Sequence, residues 1–206
     1  DISCEYNFIE ENKNIKYQFE GSFDSSYSLA ILNRNAALAY EKHFPNQVSL
    51  YSMEGFGDFE TNREFLKKNS NIKKLWEKSK KAIEAEITFR NIYPPKVSGM
   101  KSQFNILNSY GWEESSFPKE YVKNFNQNLS GIIAVSNYVK DVLVNNGVNI
   151  PIKVISNPVN HVLDFELKEY KLKTDKSFKF LHISSCFPRK GVDVLLESYS
   201  KAFTKD

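Results

Sequence analysis

Ile15-Lys16-Tyr17-Gln18-Phe19-Glu20-Gly21-Ser22-Phe23-Asp24-Ser25-Ser26 is the stretch on which the reading of the fold turns. Ile15 to Phe19 reads as a strand, and Glu20 to Ser26 as a turn of small and polar residues. A helical run follows from Tyr27 to Lys42, with Leu29, Leu32, Ala36, Ala39 and Tyr40 at helical spacing. Asp24 or Ser25 is expected to cap its N-terminus, and Pro45 to end it. Val48 to Tyr51 reads as the next strand. Strand, turn, helix, strand is the unit from which parallel sheets are built.

The pattern continues outward. Asn62 to Glu84 is a lysine-rich helical region. Ala85 to Phe89 is a strand, Arg90 to Pro95 its loop, and Phe104 to Leu107 another strand. Tyr110 to Pro118 is a loop, and Glu120 to Leu129 a short helix. Gly131 to Val135 is continuously apolar and β-branched, the mark of a strand buried on both faces. Ser136 is placed to cap a helix running to Asn145, and Ile152 to Ile155 forms a further strand that Asn157-Pro158 breaks. Asp164 to Ser177 is polar, without an apolar period. Phe178 to Ile183 is a strand, and Gly191 to Phe203 a helix with Val192, Leu195, Leu196, Tyr199 and Phe203 on one side. The expected architecture is α/β: a Rossmann-like parallel-sheet domain over 1–163, a linker over 164–177, and the start of a second Rossmann-like domain over 178–206.

Composition bounds the function. Apolar residues make up 41% and charged residues 26% of 206 residues, which excludes a disordered chain, a collagen or a disulfide-stapled miniprotein. A net charge of +3 gives no separate case for nucleic acid. No apolar run approaches the ~18–20 residues of a membrane span. Cys4 and Cys186 allow one disulfide, with free thiols in a reducing cytoplasm the preferred reading. The chain begins at Asp1 without a signal-peptide pattern and stops after an amphipathic segment, so both ends read as cut.

Four stretches bear chemistry. Gly21 to Ser26 sits between a strand and a helix start, where free N–H groups and the helix dipole favour an anion. One glycine is not a dinucleotide fingerprint or a P-loop, which disfavours dehydrogenases and P-loop ATPases. Phe187-Pro188-Arg189-Lys190-Gly191 puts two cations at a helix N-terminus, where the dipole opposes them unless a phosphate is bound. Tyr110-Gly111-Trp112-Glu113-Glu114-Ser115-Ser116-Phe117-Pro118 follows a strand. Trp112 could stack on a sugar, and Glu113 or Glu114 could bind hydroxyls or move a proton, although carboxylates before a helix need no function. Arg63, Lys67, Lys68, Lys73, Lys74, Lys78, Lys80 and Lys81 form a basic run. A solvated face is the commoner explanation, and an anionic membrane surface the alternative. His43, His161 and His182 are scattered, and neither H-E-x-x-H nor C-x-x-C occurs, so no protein-made metal site is expected.

In their order, these elements resemble family 4 (group 1) glycosyltransferases of the GT-B fold. Gly131-Ile132-Ile133-Ala134-Val135-Ser136 and its helix to Asn146-Gly147-Val148 look like the last strand and helix of that family's N-terminal domain. Lys153-Val154-Ile155-Ser156-Asn157-Pro158-Val159-Asn160 is similar to its crossover, with Pro158 in place of a glycine. Phe178 to Ile183, then Arg189-Lys190-Gly191-Val192-Asp193-Val194-Leu195-Leu196, look like the opening strand, lysine-glycine loop and helix of the donor domain. Glu20-Gly21-Ser22-Phe23-Asp24-Ser25-Ser26, Asn91-Ile92-Tyr93-Pro94-Pro95 and Tyr110-Gly111-Trp112-Glu113-Glu114-Ser115 resemble a branch found among bacterial surface-polysaccharide enzymes, those of lipopolysaccharide and capsule.

The resemblance implies retaining transfer of a sugar from a nucleotide-diphosphate donor to a glycan or lipid-linked acceptor; the expected location is the cytoplasm, with the basic run 62–81 as the alternative contact with the inner face of the membrane. Lys190 and Arg189 would hold the donor diphosphate, with Gly21 and Ser22 approaching the phosphate or acceptor from the other domain. Glu113 would contact the transferred sugar, and Trp112, Glu114, Asp24 and Ser25 would line the acceptor side. Neutralisation by Lys and Arg calls for no metal and no cofactor. Ser184-Ser185 stands where the family commonly has Gly-Arg. The Glu-x7-Glu motif and nucleotide pocket do not appear, so the 206 residues alone are expected to be inactive in transfer. A non-catalytic glycan- or anion-binding module is the competing reading. A nucleotide-sugar epimerase or other NAD enzyme is opposed by the missing fingerprint.

Overall fold

The computed structural model describes residues 15–54, 57–58, 60–81, 84–159, 162–163 and 166–203. The chain divides into two compact units, Asp1–Phe165 and Glu166–Asp206. Cys4, His161 and Asn160 lie outside the described residues.

The first unit is a six-stranded, all-parallel sheet flanked by helices, a Rossmann-like α/β fold. Its elements are β1 (Tyr17–Glu20), α1 (Ser28–His43), β2 (Val48–Tyr51), the two-residue strands β3 (Met53–Glu54) and β4 (Gly57–Asp58), α2 (Arg63–Lys68), α3 (Ser70–Ser79), β5 (Ile87–Arg90), β6 (Phe104–Tyr110), α4 (Lys119–Asn128), β7 (Gly131–Ala134), α5 (Asn137–Asn145) and β8 (Ile152–Val154). The sheet order is β2-β1-β5-β6-β7-β8, with β3 and β4 forming a separate antiparallel ribbon. From β1 the chain turns to one side for β2, and β5 then pairs on the other side of β1. This reversal is the topological switch point, and it lies at the β1–β5 seam.

One hydrophobic cluster gathers Tyr17, Phe19, Val48, Leu50, Leu75 and Phe89, with the Phe19 and Phe89 rings stacked 4.9 Å apart. A second gathers Leu107, Phe125, Ile132, Val139 and Leu143 from β6, α4, β7 and α5. Ser136 caps α5 as expected, its Oγ accepting the Val139 N–H.

Four details differ from the sequence reading. The N-cap of α1 is Tyr27, without a side-chain bond, because Asp24 is engaged elsewhere. The buried stripe of α1 is Ala30, Asn33 and Ala37, one residue round from the expected one, and Ala39 is exposed. Small side chains let the helix approach its neighbours closely, so size rather than hydropathy selects the contact face. The lysine-rich region is two helices, not one. They break at Asn69, whose backbone leaves helical space and whose side-chain amide donates to Phe65 O at 2.8 Å.

The fourth difference lies in the second unit. Phe178 to Ile183 is not a strand but exposed, irregular chain. A strand needs a neighbouring ladder for its N–H and C=O groups, and none exists among the described residues of this unit. Phe180 instead packs edge-on against Tyr199, which belongs to α6 (Val192–Ala202), with ring centroids 5.6 Å apart.

Candidate functional site

The site is built where β1 and β5 end. Glu20 and Arg90 are the last residues of these strands and stand in register across the parallel ladder. Both are buried, and Arg90 Nε donates to Glu20 Oε2 at 2.6 Å. Gln18 Nε2 donates to the other carboxylate oxygen at 2.7 Å. Arg90 also donates from Nη1 to the carbonyls of Lys96 (2.8 Å) and Ser98 (3.2 Å). A buried charge is tolerable only when paired and hydrogen-bonded, and this pair meets both conditions. It holds the loop after β5 against the end of β1.

Gly21 comes next. Its φ is +152°, and a Cβ there would lie 2.2 Å from Asn33 Nδ2 and 2.5 Å from Asn91 O. No side chain fits. The glycine lets the Asn33 amide reach Ser22 O (2.9 Å) and Asn91 O (3.0 Å), joining α1 to the loops after β1 and β5. Gly21 N–H donates to Tyr51 O, so it has none to offer a phosphate. The rest of the turn is clamped as well. Arg34 Nη1 donates to Phe23 O (3.1 Å) and Ser25 O (2.6 Å), and Asp24 Oδ2 accepts the Asn62 N–H at 2.6 Å. Burial holds the Arg34 guanidinium below its ordinary pKa, against the opposing pull of Asp24.

Above this frame lies a cavity of about 200 Å³, lined by Ser22, Tyr27, Leu29, Met53, Asn91, Ile92 and Tyr93. It sits at the carboxyl ends of the strands beside the switch point, where open α/β sheets bind ligands. Ser22 Oγ and Asn91 Nδ2 belong to residues only 3% and 5% exposed, and neither atom has a hydrogen-bond partner among the described residues. Buried polar atoms are nearly always paired, so these two are unmet demands on residues of the cavity wall. Among the described residues no Lys, Arg or His lines the cavity.

No family model, no curated protein and no solved structure matches this chain.

Of the residues singled out in the sequence, Ser22 lines this cavity, and Gly21 lies in the frame beside it, outside the lining. Asp24 and Ser25 are brought to the clamped turn beside it, where Ser25 Oγ is also buried without a partner. Trp112, Glu113 and Glu114 follow β6, the next strand along, at the same carboxyl edge but outside the cavity lining. Trp112 Nε1 donates to Ser116 O at 2.8 Å, and the indole packs edge-on against Phe117 at 4.9 Å. Glu113 and Glu114 are exposed, and Glu113 O accepts from Tyr138 Oη. Arg189 and Lys190 lie in the second unit, in a short 3-10 turn, Pro188–Lys190, which Gly191 ends with φ +62° before α6 begins. Both are exposed. Among the described residues no group of three or more His, Cys, Asp or Glu is arranged to hold a metal ion.

Sequence reasoning did not assign Glu20, Arg90, Asn33 or Asn91 a part in a site. The signals were an arginine closing an otherwise uncharged strand, and an asparagine midway between Ala30 and Ala37 on the buried stripe of a helix.

Proposed function

We propose that this chain is the acceptor-side part of a nucleotide-sugar-dependent glycosyltransferase, with the switch-point cavity seating one sugar ring of the acceptor. The observation that carries this reading is a cavity whose described lining residues are uncharged, two of which, Ser22 and Asn91, each carry a buried polar atom without a partner among the described residues. A sugar offers hydroxyls to Ser22 Oγ and Asn91 Nδ2, and C–H faces to Tyr27, Ile92 and Tyr93. A phosphate would find no counter-charge among the described lining residues. At about 200 Å³ the cavity falls short of the ~300–1,000 Å³ of drug-sized sites, so it suits one ring rather than a nucleotide.

On this reading the donor diphosphate belongs to Arg189 and Lys190, which precede α6. The roles of Glu113 at the transferred sugar and of Trp112 and Glu114 beside it rest on the family resemblance. So do retention of configuration, a glycan or lipid-linked acceptor, bacterial polysaccharide synthesis and a place at the cytoplasmic face of the membrane. The diphosphate charge is met by Lys and Arg, without metal or cofactor.

Saturation-transfer NMR with a panel of neutral mono- and oligosaccharides tests the cavity. Asn91→Ala removes the unpaired amide but keeps both backbone bonds of that residue. Ser22→Ala removes the hydroxyl. Each variant is expected to weaken sugar binding about tenfold, the worth of one hydrogen bond. Absence of saturable sugar binding, or binding that ignores both substitutions, would sink the proposal. Sugar binding with no transfer by a longer form of the chain would favour a non-catalytic glycan-binding module.

A further inference from the structure

The wall of the switch-point cavity changes character from its buried part to its rim. Ser22, Met53, Asn91 and Ile92 are each less than a tenth exposed. Tyr27 and Tyr93 are 39% and 66% exposed and are the lining residues most open to solvent. The buried part thus holds two polar residues among aliphatic ones, Met53, Ile92 and the partly buried Leu29. The rim holds two tyrosine rings.

The two polar residues have definite demands. Asn91 Nδ2 is a donor, and Ser22 Oγ both donates and accepts. Neither atom has a partner among the described residues, and neither is open to water. Their backbone carbonyls are already engaged, both by Asn33 Nδ2, and the Asn91 N–H donates to Glu20 O. What remains unmet in the buried wall is one donor and one hydroxyl able to accept, set among aliphatic side chains. A bare pyranose answers this poorly. Inside the cavity it would lose water from several hydroxyls against Leu29, Met53 and Ile92, with two polar atoms to receive them. An acetamido group answers it atom for atom. Its carbonyl accepts from Asn91 Nδ2, its N–H donates to Ser22 Oγ, and its methyl packs on the aliphatic side chains. A sugar with a carboxylate or a free amine would bring a charge that no described lining residue meets.

We propose that the cavity selects an N-acetylated amino sugar, with the acetamido arm held by Ser22 and Asn91 among Leu29, Met53 and Ile92, and the pyranose ring against Tyr27 and Tyr93. This assignment rests on the cavity being a sugar site and adds the class of sugar it takes. The tyrosines offer an apolar face to any pyranose, so discrimination lies with the buried arm, where a few placed polar groups fix orientation. Both polar atoms are covered in the free protein, so binding turns them toward the acetamido group.

Saturation-transfer NMR on the 206-residue chain tests it, with N-acetylglucosamine, N-acetylgalactosamine, glucose and galactose as probes. The acetamido sugars are expected to bind about tenfold more tightly than the plain hexoses, from one better-met hydrogen bond and a buried methyl. The acetamido methyl should take the largest saturation. Ser22→Ala or Asn91→Ala should each weaken N-acetylglucosamine about tenfold, to the level of glucose on the wild-type chain. Amide spectra show whether each variant keeps the wild-type fold. Where one does not, the other variant and the site of saturation on the wild-type chain decide. Plain hexoses binding as tightly as acetamido sugars, or saturation confined to ring protons, overturns this inference and leaves a less selective sugar site standing. So does an unchanged preference in both variants while binding as a whole weakens. No saturable binding by any of these sugars removes the sugar site itself, and this inference with it.

Discussion

Gly21→Ala probes the frame of the site most directly. The new methyl would lie 2.2 Å from Asn33 Nδ2 and 2.5 Å from Asn91 O, and the φ of +152° is one that L side chains rarely adopt. Something must move, and the Asn33 side chain moves more easily than the backbone. Its displacement leaves Ser22 O and Asn91 O unpaired in a buried setting, at about 1–3 kcal/mol each. Backbone strain adds about 1–3 kcal/mol. The expected loss is roughly 3–9 kcal/mol, a large part of the ~5–15 kcal/mol of a typical domain. Both tryptophans, Trp76 and Trp112, lie in the first unit, so urea unfolding followed by their fluorescence reports on this unit. With a slope of about 1–3 kcal/mol/M, the midpoint should fall by on the order of 2 M. Gly99→Ala is the control. Its φ is +79°, but nothing lies within 4 Å of the added Cβ, so only strain of about 1–2 kcal/mol applies. If Gly21→Ala cost no more than Gly99→Ala, the close packing of Asn33 against Gly21 would not be what holds the site.

Other expectations concern buried polar groups. Arg90→Met strips Glu20 of its cation and the Lys96 and Ser98 carbonyls of their donor, and should cost about 3–5 kcal/mol in urea unfolding. Glu20→Gln/Arg90→Met should recover much of that loss, and strictly additive costs would mean that the two groups are not coupled. Tyr110→Phe removes a buried hydroxyl with no partner among the described residues, and should leave stability unchanged or raise it by about 1 kcal/mol. The same variant tests a pH dependence. Burial, reinforced by Tyr121 and Tyr93, holds the Tyr110 phenol above its ordinary pKa, and burial acts the same way on Tyr17 and Tyr40. The unfolded chain therefore releases these protons first. Stability is whole below about pH 10 and falls above it, by about 1.4 kcal/mol per pH unit for Tyr110 until the folded phenol ionises too. Equal alkaline slopes for wild type and Tyr110→Phe, measured by urea unfolding at stepped pH, would contradict this assignment.

What the sequence made legible was local, and what it hid was set by register. The apolar run at Gly131 to Val135 and the Ser136 cap each announce their element within one turn of chain, and the structure places both as read. The small-residue turn after Tyr17–Glu20 reads in the sequence as an anion site with free N–H groups, whereas in the structure the Gly21 N–H is taken by Tyr51 O. The partners of that turn were not legible. Asn33 lies 11 residues on from Ser22, and Asn91 lies 58 on from Asn33. Only the pairing of β1 with β5, and Glu20 opposite Arg90 within it, brings the loops after the two strands together at Asn33. Hydropathy cannot report that register, because both strands are largely buried and a slip leaves apolar side chains against apolar neighbours. Charge can. Glu20 and Arg90 are the charged residues within these two strands, and a slipped pairing would separate them in a buried setting. The ion pair thus selects the register, the register sets Gly21 against Asn91, and that approach puts Ser22 and Asn91 in the wall of one cavity.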